Sequence, residues 1–165
     1  MIAGVSVSTL TTIHVVISLI AIALGLVAFL ALARGHWLTR WHDWFLIMTI
    51  ATSVTGFFFP FKGVTPALVV GAASLVLLMV ACVAVYRLKL KGWAKLIYVA
   101  TGMLALYFNL FVLVIQAFQK IPSLNALAPT GSEPPFAIVQ GVVLIGSAVL
   151  GVLAFFGSRK ISIET

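Results

Sequence analysis

Residues 66–86 read PALVVGAASLVLLMVACVAVY and are followed at once by Arg87-Leu88-Lys89-Leu90-Lys91. The first stretch holds no Asp, Glu, Lys or Arg, and at 1.5 Å per residue it is long enough as a helix to cross the roughly 30 Å hydrocarbon layer of a bilayer. The basic cluster behind it marks where such a helix leaves the membrane. Four more apolar stretches carry no Asp, Glu, Lys or Arg in their middle, so the sequence predicts helices near 10–33, 43–59, 66–86, 94–118 and 136–157. The expectation is an all-α, polytopic transmembrane bundle of about five helices, a single membrane domain over residues 1–165.

Composition points the same way. Of 165 residues, 63% are hydrophobic and 8% charged, against about a quarter charged in average soluble domains. Such a chain has too little polar surface to clothe a water-soluble globule, but it suits a protein whose outside meets acyl chains. The net charge of +7 is read as topology and not as nucleic-acid binding, because the ten Lys and Arg fall in loops and at ends. Arg34, Arg40, Arg87, Lys89, Lys91, Lys95, Arg159 and Lys160 share one side, with Lys62 and Lys120 on the other. Basic residues stay cytoplasmic, so the amino terminus is expected outside and the carboxyl terminus inside. Ala31-Leu32-Ala33 has the form of a signal cleavage site, yet no basic residue precedes that run and Arg34 follows it, so a retained helix is expected.

Local signals support these boundaries. Asp43 suits the positive end of the second helix. Thr65-Pro66 offers a cap and a first-turn proline to the third, and Ser132-Glu133-Pro134-Pro135 the same to the last. Trp37, Trp41, Trp44, Tyr86 and Trp93 gather at the inner interface, and Phe57, Phe58, Phe59 and Phe61 at the outer one. Segment 119–135 is the one long loop, and Pro122 to Pro129 reads as a short helix whose Leu124 and Leu127 share a face. A helix, basic loop and helix pattern at 10–59 recurs loosely at 66–118, which would make two parallel hairpins and a closing helix.

The polar residues inside the helices are few. His14, Gln116 and Gln140 are all expected in the outer leaflet, His14 about 6 Å below its helix start. They are read as candidates for a small polar ligand pocket with Glu133 and Lys120 at its mouth, since ionisable groups inside a membrane mark function. The plainer alternative is that His14 only bonds a neighbouring helix. Asn109, Ser18, Thr52 and Ser147 are read as helix-packing polar residues, with Asn109 pairing across helices. His36 and His42 are read as solvated or lipid-facing at the inner interface, and the single cysteine, Cys82, as packing filler.

No Cys-x-x-Cys, His-Glu-x-x-His or phosphate-binding glycine loop is present in the sequence, and no serine sits in a recognised nucleophile setting. No metal ligand set and no catalytic residue are assigned, and the cofactor is left open. The segments Ile13-His14 to Gly25, Trp41-His42-Asp43, Phe118-Gln119-Lys120-Ile121-Pro122 and Ala128 to Phe136 resemble small bacterial inner-membrane proteins of uncharacterised activity, in which a His opens each of the first two helices. The resemblance implies a multi-pass inner-membrane location and a helical fold. The expected function is non-enzymatic: binding a partner, a lipid or a small hydrophobic ligand at the outer polar cluster. Its rivals are a redox protein handling quinone or haem, and a transporter or channel. Expected partners are the bilayer, anionic lipid at the basic inner loops, and a second copy or a larger membrane complex.

Overall fold

A computed structural model describes residues 6–60, 63 and 65–161, and among these every regular element is helical. They are α1 (Val7–Ala33), α2 (Thr39–Gly56), α3 (Pro66–Cys82), α4 (Ala94–Lys120), the short α5 (Pro122–Asn125) and α6 (Pro134–Ser158). Phe61 and Lys62, expected at the outer face, lie outside the described residues.

Each boundary has a local cause. α1 begins three residues before the apolar run because the Ser6 hydroxyl accepts the Thr9 N–H at 3.0 Å, an N-cap. It ends at Gly35, which takes φ +84°. That conformation, free to glycine, lets the His36 N–H return to the Ala31 carbonyl at 2.9 Å. α2 starts at Thr39 and not at 43: its first turns are polar, and a helical backbone is indifferent to where hydropathy begins. Thr65 caps α3 as the sequence suggests, accepting from the Leu68 N–H at 3.3 Å. Glu133 does not cap α6 in that way. It stands at the N-cap, but its carboxylate turns back into the preceding loop.

α3 runs on into a π-helical turn, Val83–Arg87, so its whole apolar length is Ala67–Arg87. Lys89 and Leu90 then take left-handed φ of 51° and 53°.

Two hairpins, α1 with α2 and α3 with α4, are joined side by side through α2 and α3. α6 closes the ring by packing on both α4 and α1, while α4 leans across to touch α1 and α2. The core lies among these helices toward the end carrying the basic loops. It is built on Phe29, Leu32, Phe45, Leu46, Leu78, Tyr98 and Leu106. Close approach there uses glycine: a Cβ on Gly102 would stand 2.8 Å from the Phe29 ring, and one on Gly25 2.8 Å from Phe45. The outward faces stay apolar and exposed, notably Ile138, Val142, Ile145 and Val149 on α6 and Val69, Val76 and Met79 on α3.

Among the described residues, four helices are long and apolar enough to cross a membrane: α1, α3 with its π-turn, α4 and α6. The sequence leads to five. The fifth, α2, has 18 residues and opens on Thr39-Arg40-Trp41-His42-Asp43, so its apolar length is shorter than its helical length.

Candidate functional site

The loop that follows α4 and the helix ends beneath it form a cleft of about 400 Å³. Its walls come from the first turn of α3 (Thr65, Ala67, Val70), the last turns of α4 (Phe111 to Gln119) and the loop from Asn125 to Gly131, with Phe136 behind. Among the described residues, the polar groups on these walls are Thr65, Gln116, Gln119, Asn125 and Thr130, and none of the lining side chains carries a charge.

The loop is held in shape over this cleft. The Asn125 amide donates to the Phe118 carbonyl at 3.1 Å, which occupies one carbonyl left free at the end of α4. Phe118 meets Phe136 edge to face with ring centroids 5.4 Å apart. Ala128 is buried beneath the loop. The Glu133 carboxylate accepts from the Thr130 N–H, the Thr130 hydroxyl and the Ser132 N–H, each at 3.0 Å. The Thr130 N–H, with help from the Thr130 hydroxyl and the Ser132 N–H, holds this carboxyl below its ordinary range.

The residues expected to share one pocket are distributed over three helix interfaces. Gln116 lines the cleft. His14 bonds α2: its Nδ1 lies 2.9 Å from the Thr55 hydroxyl, and its ring packs edge to face on Phe59. The Thr55 hydroxyl already donates to the Ala51 carbonyl at 2.7 Å. It therefore accepts from His14, which fixes the proton on Nδ1. Gln140 sits between α6 and α4, its amide donating to the Phe111 carbonyl at 3.1 Å while Oε1 is buried without a partner. Glu133 is spent on the loop, and neither it nor Lys120 lines the cleft.

Of the residues read as helix packing, Thr52 is buried in the bundle. Asn109 makes no cross-helix bond, and its Nδ2 is buried without a partner, as is the Thr52 hydroxyl. Ser18 donates within its own helix, to the His14 carbonyl at 2.6 Å, and Thr49 does the same to Phe45 at 2.7 Å. A hydroxyl satisfied by the carbonyl one turn back, as in Ser18 and Thr49, has little need of a neighbouring helix.

His42 is the largest departure. It is neither solvated nor lipid-facing but fully buried. Trp37 stacks on it with centroids 3.8 Å apart and planes at 7°, Phe29 meets it edge-on, and its Nδ1 is 2.6 Å from the Tyr98 hydroxyl. Its Nε2 is buried without a partner. If Tyr98 donates to Nδ1, the only orphan is the Nε2 proton. The opposite arrangement strands both the Tyr98 proton and the Nε2 lone pair. The first is favoured, because each unpaired buried polar group costs about 1–3 kcal/mol. Trp37 and His42 straddle a helix start and Tyr98 lies on another hairpin, so no spacing in the sequence announces this cluster.

Among the described residues the fold is all-helical, and its four long apolar helices are those of a multi-pass membrane protein. Comparison with known protein families, curated proteins and solved structures finds no match to the chain. Its function therefore has to be argued from the chain itself.

Proposed function

We propose that the chain is a five-span protein of the bacterial inner membrane, amino terminus outside and carboxyl terminus cytoplasmic, whose role is to bind a small neutral amphiphile in the cleft under its outer loop. The observation that carries this reading is the cleft's lining. Its volume lies within the range of small-ligand sites, and an apolar wall with a few placed polar groups is how such sites bind and orient. Burying a charged head against uncharged side chains would be costly. A hydroxyl or carbonyl head beside the amides of Gln116 and Gln119, with its tail along Val70, Val112 and Ile115, meets no such cost. Five spans with these ends agree with the positive-inside distribution, with α2, about 27 Å long as a helix but polar in its first turns, as the shortest of them. No catalytic set is assigned in the sequence, and a binding role needs none.

Native mass spectrometry of the protein released from nanodiscs tests this. The expected result is a retained mass of a neutral lipid or a quinone, reduced at least several-fold by Gln116→Ala and by Val70→Trp, which fills the cleft. A bare protein under gentle release, or a retained mass that both variants leave unchanged, overturns it. A quinone as the retained mass would move the protein to the redox class.

A further inference from the structure

At the opposite end of α3 and α4 from the cleft, the connecting turn is built in a way that its sequence does not require. Leu88 N–H bonds Val83 O at 2.9 Å and Leu90 N–H bonds Ala84 O at 3.0 Å, which winds the end of α3 wider than an α-helix. Lys89 and Leu90 then adopt the left-handed region one after the other, followed by Gly92 at φ +52°. Two adjacent non-glycine residues in that region are rare and need the surrounding structure to hold them. Here Leu90 does so: it is 4% exposed and packed into the core cluster with Ala84 and Ala94. Pinning Leu90 inward leaves Lys89 and Lys91 exposed on either side of it, next to the exposed Arg87.

Among the described residues, cations outnumber acids at this turn. Of the two acids among the described residues, Asp43 accepts the Tyr86 hydroxyl at 2.6 Å and Glu133 is folded onto Thr130 in the outer loop. The same turn exposes Trp93 (79%), Tyr86 (52%) and Leu88 (47%). Amphipathic rings beside exposed cations fit the boundary between hydrocarbon and headgroups, where the ring body is in lipid and its polar edge in water.

We propose that residues 86–93 form a fixed binding site for the headgroup of an anionic phospholipid. Lys89 and Lys91 flank the phosphate, Arg87 adds charge, and Trp93 and Leu88 hold the turn at the acyl boundary. The proposal differs from a diffuse attraction by basic loops, because the buried Leu90 fixes the two lysines in place. It is also independent of the outer cleft.

The test uses the full chain in nanodiscs of equal phosphatidylglycerol and phosphatidylcholine, with retained lipid measured after mild release. The expected result is enrichment of phosphatidylglycerol in the wild type. Each of Lys89→Gln and Lys91→Gln should lower it about fivefold, the effect of one cation at a membrane surface. The charge-matched pair Arg40→Gln and Arg159→Gln should leave most of it. All these residues except Arg40, in the first turn of α2, and Arg159, at the end of α6, lie in the turn itself, and all are exposed. No enrichment in the wild type, or equal loss in the control pair, overturns the proposal. Displacement by inorganic phosphate at millimolar concentration as complete as by phosphatidylglycerol would also overturn it, since the site would then read the anion without the lipid.

Discussion

At the scale of single residues, the His42 and Tyr98 pair shows how a buried polar contact is apportioned. The two side chains have little beside each other to bond, and stacked rings enclose them. Tyr98→Phe removes one partner and leaves Nδ1 unpaired in the core, which should cost about 1–3 kcal/mol. His42→Phe likewise strands the Tyr98 hydroxyl. Making both changes removes donor and acceptor together, and the larger ring at position 42 is common to the single and the double variant, so the double variant should lose clearly less than the sum of the singles. Unfolding curves in mixed micelles with increasing SDS would measure this. A double variant that loses the full sum would show that the bond contributes nothing beyond packing. His42 was also the residue least legible in the sequence. A histidine at an inner interface reads as solvated, and only the reach of Tyr98 from another hairpin, 56 residues away, makes it a core residue.

At the scale of elements, the long helices could be read from their apolar runs, but their ends and bonding could not. The starts of α3 and α4 coincide with the change from loop to apolar run. That of α1 depends on the Ser6 cap and that of α2 on a polar first turn, neither of which hydropathy sees. The loop over the cleft is legible as long and as opening on a short helix at Pro122, but not in what fixes its far end, which rests on where one carboxylate turns. Glu133 has its carboxyl held low by the Thr130 and Ser132 donors. The stabilisation is therefore complete above the ordinary carboxylate range and is lost as pH falls through the lowered folded value. Hydrogen exchange, with each amide's rate corrected for pH, should show Thr130 and Ser132 protected at neutral pH in the wild type. Glu133→Gln should reduce that protection, and the difference between the two proteins should vanish in acid. Equal protection at neutral pH would mean that Asn125 and the Phe118 and Phe136 pair hold the loop without the charge.

At the scale of the whole molecule, helix order decides which residues can meet, and a single chain's hydropathy carries no information about that order. Five apolar runs predict five cylinders. They do not predict that α2 lies between α1 and α3 and puts His14 beside Thr55, or that α6 bridges α4 and α1 and puts Gln140 beside Phe111. The ring closes at one tight crossing, where Gly157 of α6 lies against the end of α1. A Cβ there would overlap the Leu32 carbonyl oxygen and stand 2.9 Å from the Ala33 carbonyl carbon. These are backbone atoms of a helix end already committed to the turn at Gly35, so neither side can rotate away as a flexible side chain would. Gly157→Ala should therefore cost about 3 kcal/mol, the upper end for overpacking, and should part α6 from α1 at that end. Gly146→Ala is the matched control, because a Cβ there meets nothing within 4 Å, and it should leave stability nearly unchanged. Spin labels on the exposed ends of α1 and α6 would report the distance, and SDS unfolding the energy. If Gly157→Ala behaves like Gly146→Ala in both measurements, α6 is not held to α1 by this crossing, and closure of the ring must rest on its packing against α4 alone.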